Sequence, residues 1–112
     1  MKLCFQHHIR KSVLELLVLE LLSREDMYGY QVIQTLQKEN EEFFCVKEGT
    51  LYPILYRLED SGAAVSEWGT ATNARTPKKF YRITEHGKAV LAEQRIIWKR
   101  FSDEMARIVL HE

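Results

Sequence analysis

At 112 residues the chain is one domain's worth, with 46% hydrophobic and 29% charged residues, a balance that excludes wholesale disorder. Sixteen basic and sixteen acidic side chains cancel to zero net charge, so any nucleic-acid affinity must come from an uneven distribution of charge. Two cysteines, Cys4 and Cys45, are too few for a disulfide framework and predict reduced thiols in a cytoplasmic chain.

The first predicted element is a helix over residues 9–23. Val13, Leu14, Leu16, Leu17, Val18, Leu19, Leu21 and Leu22 occupy most of its circumference, which predicts burial on most sides, with part of it facing a second subunit. Glu15 and Glu20 interrupt the apolar stretch and no small-residue cleavage site follows, so neither a signal peptide nor a membrane span is expected. "SRED" (23–26) breaks the pattern, and a second helix over 28–38 turns Val32, Ile33 and Leu36 inward. "ENEEFFCV" (39–46) reads as an acidic linker with an apolar end that could add a short extended piece, with Cys45 buried as a small hydrophobe.

"EGTLYPILYRLEDSG" (48–62) carries Leu51, Ile54, Leu55 and Leu58 at the i, i+3, i+4, i+7 spacing of one helical face. The other side shows Thr50, Tyr52, Pro53, Tyr56 and Arg57, an unusual set for a merely solvated surface. A helix starting near Thr50 would put Pro53 in its first turn, where the missing N–H costs nothing, and Gly62 is the expected C-terminal cap. Beyond it, "AAVSEWG" (63–69) and "KKFYRIT" (78–84) read as two strands of a hairpin with the polar tip "TATNARTP", Trp68 being assigned to packing. Thr84 is the expected N-cap of a last helix reaching almost to His111, about 37 Å long and too long to pack within one small globule.

This order of elements is mainly α with a small β-hairpin: a winged helix-turn-helix over 1–84 followed by a C-terminal dimerisation helix over 85–112. From Gly69 through Thr84 there are four cations, Arg75, Lys78, Lys79 and Arg82, and no acid. In a winged helix such a basic hairpin reaches a phosphate backbone or the minor groove, a solvated loop made basic by chance being the other reading. Hydroxyls on the third helix suit phosphates, and Arg57 suits a guanine edge. Glu48 fits only as a helix cap or as an acceptor from a cytosine amine. Cys4, His7 and His8 lack the second half of a metal site, and His86 and His111 have no nucleophile or acid beside them. No phosphate-cradling loop, dinucleotide turn or catalytic triad is visible. Neither enzyme activity, a cofactor nor a metal is expected.

"YGYQVIQTL", then "EGTLYPILYRLEDSG", then "KKFYRITEHGKAVL", in this order and spacing over about residues 9–98, resembles the PadR family of transcriptional regulators. The single C-terminal helix resembles its small subfamily. The resemblance implies a winged-helix homodimer, usually a repressor of transcription on a pseudo-palindromic operator, with its recognition helix at about 48–60 and its wing at 64–83. It also matches Tyr28 and Tyr30 to motif tyrosines of the second helix. Ala74 and the inserted Thr76 depart from the common wing pattern. The candidate contacts to double-stranded DNA are Tyr30, Lys47, Thr50, Tyr52, Pro53, Tyr56, Arg57, Arg75, Lys78 and Lys79. Multidrug-sensing members carry a tryptophan on the final helix that stacks on planar ligands at the dimer interface. By that resemblance Trp98, with Phe101 and Met105, is a candidate site for a planar hydrophobic effector, plain interface packing being the other reading. A winged-helix protein-interaction module without DNA binding is the alternative from a different class, which zero net charge favours and the basic hairpin opposes.

Overall fold

The N-terminal apolar run folds as one helix, α1 (Lys2–Arg24), seven residues longer at its start than the sequence pattern predicts. The computed structural model describes residues 2–69 and 77–112, and the side chains at 2–8 and 10–12 lie outside the description. Leu14, Val18, Leu19, Leu21 and Leu22 are buried, while Val13, Leu16 and Leu17 are only half covered. The uncovered residues mark the side of α1 that the rest of the chain leaves bare.

A two-residue strand, β1 (Met27–Tyr28), leads into α2 (Gly29–Asn40), which buries Val32, Ile33 and Leu36 as expected. Residues 41–43 turn, closed by the Phe44 N–H on the Asn40 carbonyl at 2.8 Å, and no strand forms over 39–46. Cys45 is exposed, a correction to its expected burial. Side chains alternate along this non-helical stretch, so Val46 and Phe44 turn toward the core and Cys45 turns away.

The third helix, α3 (Glu48–Asp60), starts two residues before the expected Thr50. Pro53 therefore stands beyond the first turn and withholds an N–H from the Gly49 carbonyl, a cost the apolar face of α3 must offset. Leu51, Ile54, Leu55 and Leu58 are all buried, each contributing about 1.5–3 kcal/mol of burial. Gly62, at φ 81°, ends the helix as expected. Its N–H reaches the Glu59 carbonyl and the Ala63 N–H the Leu58 carbonyl, the paired bonds of a Schellman turn.

Strands β2 (Ala64–Trp68) and β3 (Lys79–Ile83) pair antiparallel with Ala64 opposite Ile83 and Trp68 opposite Lys79. Sequence reasoning gives two strands; the sheet has three, in order β1-β3-β2, because Met27 and Tyr28 pair with Tyr81 and Phe80. The last helix, α4 (Glu85–Val109), is capped by the Thr84 hydroxyl, which accepts from the Gly87 N–H at 3.0 Å. That hydroxyl also donates to the Gly62 carbonyl at 2.6 Å, so the end of α3 and the start of α4 are tied at one point. Of its 25 residues α4 buries only Gly87 and Leu91. Val90 packs on the core, most of the remaining residues are exposed, and the molecule measures 54 Å along its longest axis.

Candidate nucleic-acid interface

The buried and exposed sides of α3 separate as helical geometry requires. With Leu51, Ile54, Leu55 and Leu58 in the core, Thr50, Pro53, Tyr56 and Arg57 are exposed, and Lys47 precedes them as an exposed N-cap. Tyr52 departs from the expected exposure. It is half-buried and packed on the core, because it stands one residue after Leu51 on the flank facing α2. Burial raises its phenol pKa, with Glu48 and then Tyr56 adding to the effect. Its ring centroid lies 6.0 Å from that of Tyr56.

Beside α3 stands the base of the wing. Lys78 is exposed, its ammonium 4.4 Å from the centroid of the Tyr28 ring, and Lys79 is half-exposed, 5.6 Å from that of Tyr81. These contacts hold the two cations where the hairpin strands run into the tip. Tyr28 in turn meets Phe80 edge-on at 5.4 Å, which fixes β1 against β3. Arg75 and the rest of the tip at 70–76, Ala74 and Thr76 included, lie outside the described residues. So do the side chains of Cys4, His7 and His8, and among the described residues no cluster of His, Cys, Asp or Glu could hold a metal ion.

A cleft of about 610 Å³ separates α3 from the wing base. It brings together Tyr30, Tyr52, Tyr56, Lys78 and Lys79 from the expected set, and adds Tyr28, Trp68, Pro77 and Tyr81. Trp68 is 66% exposed, which corrects its assignment to packing. It shares the inner face of β2 with Ala64 and Ser66, but it sits at the strand's end, past the edge of the core. Tyr81 lies beneath, its hydroxyl buried without a hydrogen-bond partner and its pKa pushed up to about 12 by burial foremost, then by Glu59. The cleft is thus cationic and phenolic, able to hold anions and to offer flat apolar faces.

A second concavity, of about 470 Å³, runs between α1 and α4. Trp98 and Phe101 line it with Ile97, Val13 and Leu16; Met105 is exposed on α4 but is not part of the lining. Sequence reasoning missed Glu15 and Gln94 here. Gln94, four residues before Trp98 on the same helical face, leaves its Oε1 buried and unpartnered. Both groups are acceptors, so the groove suits an aromatic compound that brings positive charge or N–H donors. Arg95 crosses from α4 to Glu20 on α1, donating through Nε at 3.0 Å and through Nη2. That bond, ahead of a second one from Arg24, holds the Glu20 carboxyl below its ordinary range.

Comparison with known proteins gives a consistent result. The family model described as transcriptional regulator PadR-like matches residues 18–93. A transcriptional regulator of Mycobacterium tuberculosis is 33% identical over 90% of this chain and 86% of its own length. The crystal structure of a PadR family regulator from Eggerthella lenta superposes with a TM-score of 0.80 at 33% identity, covering 91% of this chain and 86% of that one. PadR of Bacillus subtilis, a negative transcriptional regulator solved with operator DNA, is 30% identical. It superposes with a TM-score of 0.67 over 75% of this chain and 47% of its own.

Proposed function

The chain belongs to the PadR-like family of transcriptional regulators, and from that premise we propose that it is a homodimeric, cytoplasmic repressor that binds double-stranded operator DNA. Residues 1–84 form the DNA-binding unit and residues 85–112 the dimerisation helix. The observation that carries this reading is the division of α3, whose outer face presents Thr50, Pro53, Tyr56 and Arg57 behind Lys47 while every leucine and isoleucine turns inward. Such a face fits the major groove, with Arg57 on a base edge and the hydroxyls on phosphates. Tyr30, Lys78 and Lys79, with Arg75 on the wing tip, extend the contact along the backbone, and Tyr52 braces the helix from its flank. Operator DNA in the Bacillus subtilis PadR structure supports the same reading.

Dimerisation rests on the bare surfaces. Ile97, Trp98, Phe101, Met105 and Ile108 are each at least 45% exposed along α4, and α1 leaves Val13, Leu16 and Leu17 half covered beside them. A contiguous apolar face of this kind calls for a partner, and a second copy with twofold symmetry supplies the same face in return. At that seam a planar, hydrophobic, cationic effector on Trp98 and Phe101, with Glu15 and the Gln94 Oε1 as acceptors, releases the operator. It does so only by preferring a dimer geometry whose recognition helices no longer match the half-site spacing, since equal affinity for both geometries shifts nothing.

A salt titration of duplex binding tests the reading. Affinity should fall steeply with salt, because each neutralised phosphate releases counterions. A winged-helix module that docks only on proteins has no duplex affinity to lose.

A further inference from the structure

We infer that Trp68 is a DNA-contacting residue, its indole packing on a deoxyribose of the strand seated between the recognition helix and the wing. The inference rests on the proposed DNA-binding reading and adds to it a contact of a different kind. In B-form DNA a sugar–phosphate ridge separates the major groove from the minor groove. A winged helix with α3 in the one and its wing toward the other must therefore straddle that ridge with whatever lies between them. Here the intervening space is the cleft of about 610 Å³ whose walls include Tyr30, Tyr56, Trp68, Pro77, Lys78 and Lys79.

Charge and register favour this occupant. Among the described residues no acid lines the cleft, and Lys78 and Lys79 stand at its rim. Trp68 is the cross-strand partner of Lys79, so both side chains leave the sheet on the same face, with Cβ atoms about 5 Å apart. A phosphate on the Lys79 ammonium therefore brings its neighbouring sugar to the indole. Trp68 is also 66% exposed, an indole left in water beside the lysines proposed to meet the phosphates. A sugar contact carries no charge, and that gives it a signature distinct from the lysines. It supplies affinity without releasing counterions and without reading sequence.

The test measures binding to a random-sequence duplex and to a selected operator across a salt series, for the parent, Trp68→Ala, Trp68→Phe and Lys79→Ala. Trp68→Ala should bind both duplexes roughly 5–20-fold more weakly with the slope of log affinity against log salt unchanged, and Trp68→Phe should recover most of the loss. Lys79→Ala should instead reduce the slope by about one. The chain holds two tryptophans, Trp68 and Trp98, and the emission change on saturating the parent with DNA should vanish in Trp68→Phe. Trp68→Ala binding like the parent, or a DNA-dependent emission change that survives in Trp68→Phe, overturns the inference while leaving the DNA reading in place. A parent that binds no duplex overturns both. Should Trp68→Ala lose its helical circular dichroism, the emission measurement decides alone. A sedimentation shift in folded Trp68→Ala would mark the indole as a protein contact and overturn the inference.

Discussion

Tyr52 on α3 occupies the space that a side chain on Gly29 of α2 would need: a Cβ there would stand 2.6 Å from Tyr52 Cζ and closer still to the hydroxyl. The bare backbone of Gly29 thus lets the aromatic ring of the recognition helix seat itself over the start of α2 and set the angle between the two helices. Gly29→Ala forces one of them to move. The expected cost is about 1–3 kcal/mol in urea unfolding, the usual range for overpacking. Operator affinity should fall with it, and Tyr52→Phe in the same chain should recover part of the stability by removing the nearest atom.

Thr84 joins the two halves of the molecule. Its hydroxyl caps α4 through the Gly87 N–H and donates to the Gly62 carbonyl at the end of α3. Thr84→Ala should cost about 0.5–2 kcal/mol by urea unfolding, as losing a helix N-cap does, and Thr84→Ser should restore it.

The ion pair between Glu20 and Arg95 has a pH signature. Hydrogen bonding to Arg95 lowers the Glu20 pKa below its ordinary 4.5. A lowered carboxylate pKa stabilises the folded state above the unfolded value, and that stability is lost as pH falls through the folded one. Both partners are partly exposed, so Glu20→Gln should cost less than about 1 kcal/mol at pH 7. The difference from the parent should close as pH falls below 4.5 and through the lowered folded-state pKa, which urea unfolding at a series of pH values would record.

The exposed seam should hold two chains together. At micromolar concentration the protein should sediment at twice its 13.2 kDa chain mass. Phe101→Glu should shift it to the monomer by placing a charge in an apolar interface. Trp98→Ala should keep the dimer but lose the fluorescence quenching that a planar hydrophobic cation produces in the parent.

Much of this architecture was legible in the residues themselves. The apolar stripe of α3, the Gly62 turn, the Thr84 cap and the reach of α4 each follow from spacing or from a single residue type whose local physics is strong. β1 was not legible, because two residues cannot show a period of two; only pairing with Tyr81 and Phe80 makes Met27–Tyr28 a strand. Pro53 misled in the other direction, since the rule that places proline in a first turn gave way to the burial of four aliphatic side chains beneath it. The sequence pattern predicts packing for Trp68 and burial for Cys45, yet position along their segments exposes both. Gln94 and Glu15 became part of a site only when α1 and α4 were brought side by side.

The proposed reading head is tested most directly by comparing Arg57→Ala with Lys79→Ala on two duplexes, an operator selected from a random pool and an unrelated sequence. Arg57→Ala should lose about 1–3 kcal/mol on the operator and little on the unrelated duplex, as befits a side chain that reads a base edge. Lys79→Ala should weaken both about equally, as a phosphate contact does. Equal losses on both duplexes for Arg57→Ala, or a loss of sequence preference in Lys79→Ala alone, would contradict the assignment of α3 as the element that reads sequence.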